Sequence, residues 1–346
     1  MKKIAVCQSA LFQKRGDEDS YAAWLREHDI PYEYLDCYDS NVISKLDNYS
    51  ALIWHYSNFM NADLMEAQHI LDIAAAKGLK VYPDHNTAWH FDDKIAEMYA
   101  LQSVNAPIPE SWVFYDLERC LHWLDNEAKY PLVAKLRRGS GSNNVKLLKS
   151  AAEAKSYARH MFSRGYSPAQ SLVYKTYSKA QSTRSVDVLK SRIKKIPKFL
   201  KSWKYSKGMS NEIGYCYFQE FIENNGFDIK VAVVNNKCSY FLRKTRVGSW
   251  KASGGGDFYY DNQAMNESII GSALDAAERL KMQCVGFDYV VRKSDQKGFI
   301  VEMCHGFDPD AIYQCGGYWD RDLVWHDEPL NVQAEMLEEL LKEIER

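Results

Sequence analysis

Short apolar runs alternate with helical patterns across roughly the first 90 residues, and this constrains the fold more than any other feature of the chain. Residues 4–7, 32–37, 51–55 and 80–82 read as strands. Residues 19–28 and 61–77 read as helices, the second stopped by Gly78. Helices between strands supply crossover connections, so this region is expected to form a parallel sheet. The GxGxxG fingerprint does not follow the first strand, which argues against a nicotinamide-dinucleotide site there. A helix is expected over 87–105, then a Pro107-Ile108-Pro109 break and a strand at 112–115. A helix at 117–126 and strands at 131–135 and 145–148 follow. From 217 onward the pattern becomes strands joined by tight turns, with helices expected at 265–282 and 330–346. The fold class is therefore α/β followed by α+β, and 346 residues suit two or three compact units.

Charge and cysteine usage narrow the partners. With 44 Lys+Arg against 46 Asp+Glu, the net charge of -2 gives no global attraction for nucleic acid or a membrane surface, so any anion site must be local. No window approaches the roughly 20 apolar residues of a bilayer span. The eight cysteines are dispersed without a CxxC pair, which points to a reduced, cytoplasmic protein rather than a zinc ribbon. A basic insert, 184–207, holds Arg184, Lys190, Arg192, Lys194, Lys195, Lys198, Lys201, Lys204 and Lys207 against Asp187 alone. It reads either as a solvated helical face or as a dock for an anionic substrate.

Three stretches carry chemistry. In the first, Gly286-Phe287-Asp288-Tyr289-Val290-Val291 and Phe299-Ile300-Val301-Glu302-Met303-Cys304 are strand-like and flank a turn, Ser294-Asp295-Gln296-Lys297-Gly298. A hairpin symmetric about Asp295 sets Asp288 directly opposite Glu302 on one face, with Cβ atoms roughly 5 Å apart. Opposed anions need a cation between them, and oxygen ligands point to magnesium. A slip of one residue would put the two on opposite faces, and two solvent-facing acids are the alternative. In the second stretch, a buried-looking strand delivers Lys135 into Leu136-Arg137-Arg138-Gly139-Ser140-Gly141-Ser142-Asn143-Asn144, a Gly/Ser loop able to close backbone N–H groups on phosphate. The GxxxxGK[ST] motif is missing, and a plain turn is the competing reading. In the third, a hairpin turning at Asn235-Asn236 places Asp228 opposite Arg243, with Lys230 on the same face. A surface ladder of ion pairs would look the same. Ser253-Gly254-Gly255-Gly256 offers a second flexible loop.

Taken in order, these pieces resemble the ATP-grasp superfamily of carboxylate–amine ligases. The pattern is nearest to glutathione synthetases, D-alanine–D-alanine ligases and the ligases that add glutamate to ribosomal protein tails. The resemblance spans roughly 93–309. It implies a pre-ATP-grasp domain at 1–90, a central lobe at 91–215 that carries the basic insert, and a catalytic lobe at 216–346. Lys94 and Lys135 resemble the two ATP lysines, and Gly139, Ser140, Gly141 and Ser142 the loop over the phosphates. Gln219, Glu220, Phe221 and Ile222 resemble the linker strand against adenine, and Asp228 the acid that holds ribose. Arg243 and Lys230 correspond to catalytic cations, and Asp288 and Glu302 to magnesium ligands. Three positions depart from the pattern. Cys304 stands where the family has asparagine, and a soft thiol suits magnesium poorly, with His305 or water as a substitute. Leu136 replaces a proline, and Lys230 replaces an arginine and so loses bidentate recognition.

The resemblance implies ATP and Mg2+ as cofactors and an ADP-forming reaction that joins a small-molecule carboxylate to an amine. Tyr313, Tyr318, Trp319 and Trp325, with the basic insert, point to an anionic sugar or nucleotide-sugar, while amino acids and peptides stay open. Ordinary packing of a C-terminal cap would explain the same aromatics. A non-catalytic ATP-binding protein and a kinase acting on a hydroxyl are the alternative functions.

Overall fold

The structure is a computed structural model that describes residues 2–10, 19–58, 60–139, 144–168, 210–245, 250, 258–260 and 266–346. Ser140, Gly141, Ser142, the loop at 253–256 and the basic insert at 184–207 lie outside the described residues.

Strands β1 (Lys3–Gln8), β2 (Tyr32–Tyr34), β3 (Tyr49–His55) and β4 (Lys80–Tyr82) form the expected parallel sheet in the order β2-β1-β3-β4. Both faces are covered, as a parallel sheet requires. Ala5, Leu52 and Trp54 pack with Leu71 of the helix Asn61–Ala76. Ile4, Val6 and Ile53 pack with Leu25 of the helix Ser20–Glu27 and with Met336, Leu337 and Leu340 of the helix Val332–Glu345. Gly78, at φ 90°, ends the helix Asn61–Ala76 as its position predicted. Strand β2 ends earlier than expected, at Tyr34.

The single helix expected over 87–105 is instead two, His85–Ala88 and Lys94–Ser103. Asp93 is the reason, because its carboxylate accepts the N–H groups of Ile95 and Ala96 at 3.2 and 3.0 Å and restarts the helix at Lys94. Asp92, at φ 57°, turns the chain between the two.

A second, antiparallel sheet has the order β5-β8-β6-β7, from β5 (Ser111–Phe114), β6 (Leu132–Lys135), β7 (Val145–Leu148) and β8 (Cys216–Glu220). The helices Leu117–Asn126 and Ala151–Met161 supply Trp123, Leu124, Tyr157 and Met161 against its Phe218. Strand β8 is inserted between β5 and β6, so this sheet draws an interior strand from beyond residue 215.

The largest sheet runs β13-β12-β9-β10-β14-β15, with β11 also pairing to β10. Its strands are β9 (Asn224–Val234), β10 (Lys237–Lys244), β11 (Phe258–Tyr259), β12 (Cys284–Arg292), β13 (Gly298–Cys304), β14 (Tyr318–Trp319) and β15 (Trp325–His326). Asn235 and Asn236 have φ of 47° and 60°, the two left-handed residues of a tight hairpin turn. The helix Glu267–Arg279 backs one face, burying Val231, Val233, Phe287, Tyr289, Ile300 and Met303. Charged side chains are thereby left to the opposite face. Tyr318 and Trp319 belong to buried clusters, with Trp319 stacked on Tyr240 at 5.2 Å. Packing accounts for both of them, and of the four tail aromatics only Tyr313 is exposed. Among the described residues, no helix is long and apolar enough to cross a membrane.

Gly271 lies within the helix Glu267–Arg279, and a Cβ there meets no atom within 4 Å. Gly271→Ala is expected to raise stability by about 0.5–1 kcal/mol, read as a higher urea midpoint.

Candidate functional site

The charged face of the large sheet is ordered by strand register. Asp288 on β12 pairs with Glu302 on β13 and with Lys230 on β9, which in turn faces Phe241 on β10. The adjoining row sets Asp228 opposite Arg243, as the Asn235-Asn236 turn predicted. The facing of Asp288 and Glu302 depends on a bulge. Nearer the turn, Val291 faces Gly298 and Tyr289 faces Ile300, so an unbroken ladder would set Glu302 against Phe287 on the helix side. Val301 is taken up as an extra residue, which restores Glu302 to the face of Asp288. The bulge also turns the Val301 carbonyl toward Lys135, whose Nζ donates to it at 2.9 Å.

Each acid is held by cations. Lys230 Nζ lies 2.9 Å from Asp288 Oδ1, outside hydrogen-bond geometry, and Arg243 Nη2 lies 3.0 Å from Oδ2. Burial works against the Asp288 charge, but Lys230 and Arg243 override it and hold the carboxyl down at about 2. Lys230 also donates to the Gly286 carbonyl at 3.1 Å. A Cβ on Gly286 would come within 2.8 Å of Lys230 Cε, so only glycine leaves this lysine its path. Asp228 accepts from Arg243 Nε at 2.8 Å and also from Nη2. Its carboxylate is buried beneath the guanidinium, on the sheet face that adjoins the cleft.

The cleft beside this face brings together Lys94, Lys135, Gln219, Glu220, Phe221, Ile222 and Glu302. Val133, Val145 and Trp250 complete its walls, with the Phe221 and Trp250 rings edge to face at 6.0 Å. Gln219 is itself buried and donates to Ser111 Oγ at 3.1 Å. Lys94, at the first turn of its helix, donates to the Gly139 carbonyl at 2.7 Å and lies 3.1 Å from Glu302 Oε1. Gly139 N–H donates back to Asp92 at 3.2 Å, which ties the start of the Gly/Ser loop to the same helix. Gly139 has φ 114°, and a Cβ there would meet Asn144 Nδ2 at 2.9 Å.

The two lysines differ electrically. Burial disfavours the Lys94 charge, but Glu302, Glu97 and Asp92 outweigh it and raise its pKa above the lysine range. Burial dominates for Lys135 and pushes it down to about 8. An apolar slot ending in two lysines suits a flat base that carries a polyphosphate. For magnesium, Asp288 and Glu302 offer hard oxygens on facing positions, whereas burial pushes the Cys304 thiol up to about 12 and keeps it protonated. Among the described residues, no group of three metal-binding side chains is assembled. His305 packs against Phe91 at 4.4 Å and Tyr56 at 5.2 Å, and burial drives its pKa well below the usual value.

Sequence reasoning missed Glu97 and Trp250. Glu97 is buried in the helix Lys94–Ser103, where its carboxylate accepts the Met303 N–H at 3.2 Å. Its position three residues after Lys94, on the inward face of that helix, was the only available signal. Nothing near Trp250 in the sequence marks it.

No protein-family model matches the chain, and no curated protein matches it in sequence. Solved structures do. The D-cycloserine synthetase DcsG superposes with a TM-score of 0.58 at 12% identity, covering 99% of both chains. D-alanine–D-alanine ligase from Bacillus anthracis, complexed with ATP, superposes at 0.57 and 11% identity, again over 99% of both. A RimK-domain ATP-grasp protein from Sphaerobacter thermophilus gives 0.54 at 14% identity over 97% of this chain and 99% of its own.

Burial raises the Glu97 carboxyl from 4.5 to about 8, against the pull of Lys94. A carboxyl whose folded pKa is raised costs stability progressively as pH climbs between those two values. Glu97→Gln is expected to flatten that decline, its urea midpoint gaining on the parent from pH 5 to about 8. Parallel declines would remove Glu97 as the titrating group.

Proposed function

From the ATP-grasp fold of the chain, we propose that it is an ATP-dependent, ADP-forming carboxylate–amine ligase. One observation carries this reading. Lys94, Lys135 and Glu302 converge on an apolar cleft bounded by 219–222, while Asp288, Lys230 and Arg243 stand beside them on one sheet face. We divide the chain into a pre-ATP-grasp segment at 1–90, a central lobe at 91–215 and a catalytic lobe at 216–346, with β8 contributed to the central sheet.

In this reading Phe221, Ile222 and Trp250 wall the adenine, and Gln219 and Glu220 border it. Lys94 and Lys135 neutralise the phosphates, and the backbone N–H groups of Gly139, Ser140, Gly141 and Ser142 would bind them as well. Asp288 and Glu302 would hold Mg2+, which adds positive charge at the transferring phosphoryl group. Cys304 is left out of that set because a soft thiol suits Mg2+ poorly. Lys230 and Arg243 orient the substrate carboxylate, and Asp228 positions Arg243 from below. A carboxylate oxygen attacks the γ-phosphorus of ATP, releasing ADP and forming an acyl phosphate. The amine then attacks the acyl carbon, inorganic phosphate departs, and the amine loses a proton to complete the amide. The protein's part is alignment and charge neutralisation. With Tyr318 and Trp319 in the core, the tail no longer favours a sugar-type substrate over an amino acid or peptide.

Incubation with Mg–ATP, hydroxylamine and a panel of carboxylates is expected to yield hydroxamate with stoichiometric ADP. Binding of Mg–ATP without carboxylate-dependent turnover would instead establish a non-catalytic nucleotide binder, and ADP without inorganic phosphate a kinase. Glu302→Gln should lower turnover by about 100-fold and also lower the urea midpoint, since it takes the ion-pair partner from buried Lys94; turnover is therefore compared at a temperature where both chains are folded. Undiminished activity would remove Glu302 as a ligand. Because Lys135 loses its charge above about 8, the KM for ATP should rise through that pH. Lys135→Arg, which stays charged, should move the rise out of range; an unchanged profile would assign it to another group.

A further inference from the structure

The charged rows continue outward into aromatic surface. Strand β11 pairs Phe258 with Arg243, so both side chains project from the same face. Phe241, which faces Lys230 across β9 and β10, lies between the cations and this edge. Its ring centroid is 4.9 Å from Phe258 and 5.9 Å from Tyr260. Phe241 is buried, whereas Phe258 is 44% exposed and Tyr260 36%. Tyr260 hydroxyl donates to Gln314 Oε1 at 3.1 Å, which draws in the end of the helix Pro309–Tyr313, where Tyr313 is 51% exposed. Two exposed rings, Phe258 and Tyr260, thus lie against a buried phenylalanine at the outer end of the face that carries Lys230 and Arg243.

The neighbouring charge gives this surface a direction. Arg243 reaches away from β11, over Asp228 and Asp288, and Lys230 lies over the Gly286 carbonyl. The cationic heads therefore stand about two strand spacings, or roughly 10 Å, from the aromatic edge. A molecule bridging the two has an anionic head, a spacer of several atoms and an apolar ring face that can stack.

We infer that the carboxylate substrate carries such a ring, seated on Phe258 and Tyr260 while its carboxylate meets Lys230 and Arg243. This rests on the ligase reading for the role of the carboxylate, but the ring seat is a binding property and is tested without turnover. Stacking on this edge selects for the ring, and the distance to the cations selects for spacer length.

The experiment is calorimetric titration of the full chain, with Mg2+ and a non-hydrolysable ATP analogue, by pentanoate, 5-phenylpentanoate and 5-(glucosyloxy)pentanoate. At least one ring-bearing acid should bind about tenfold more tightly than pentanoate, and the better of the two identifies aryl or sugar chemistry. In Phe258→Ala and Tyr260→Ala the ring preference should collapse to about onefold, while Tyr260→Phe should keep it. Equal affinities for all three acids, no detectable binding, or a preference untouched by these substitutions would overturn the inference. Ring preference in the titration, with no ADP released when ATP and hydroxylamine replace the analogue, would retain the seat and overturn the ligase reading instead.

Discussion

Two carboxylates facing each other on adjacent strands repel unless cations stand beside them, and the arrangement of this molecule answers that constraint. Asp288 is met by Lys230 from β9 and Arg243 from β10, and Glu302 by Lys94 from a helix just over two hundred residues earlier in the chain. Neutralising the pair therefore requires the large sheet and the helix Lys94–Ser103 to meet at one place. Such buried pairs add little net stability, since desolvation offsets much of the Coulomb gain. Their effect is positional, because withdrawing one partner strands another charge away from water.

The same convergence gives the two cleft lysines different chemistry. Lys94 faces Glu302 directly and has Glu97 and Asp92 nearby, so its proton is held firmly. Lys135 is turned to the neutral Val301 carbonyl and shares its surroundings with Lys94, and burial then weakens its hold on a proton. One cation is held charged and the other is lowered to about 8. The Val301 bulge produces both halves of this contrast, by keeping Glu302 on the charged face and freeing a carbonyl for Lys135.

Much of the scaffold was legible because turn chemistry sets register. Asn235-Asn236 occupies the two left-handed turn positions, and the pairing of Asp228 with Arg243 follows by counting along the strands. The facing of Asp288 and Glu302 was also reached by counting, although the ladder is not the regular one assumed. The helix break at Asp93 was misread because helical periodicity continues through it, while the capping carboxylate acts on only two N–H groups. Aromatic residues near the C-terminus were ambiguous, since a ring looks the same in sequence whether it stacks in a core or lies open at an edge. Tyr318 and Trp319 proved to be core, whereas Tyr313 lies open at the surface.

By itself the sequence determined the alternation of strands and helices, the hairpin turns and the order of the charged residues along the chain. These follow from local backbone preferences and from the side-chain periods of strand and helix. Only the tertiary structure decided that Asp228 is paired with Arg243, that Glu97 is buried beside Lys94, that burial raises the Cys304 thiol, and that burial lowers Lys135 to about 8. Each of these depends on desolvation and on charges brought close by folding, from residues that are distant along the chain.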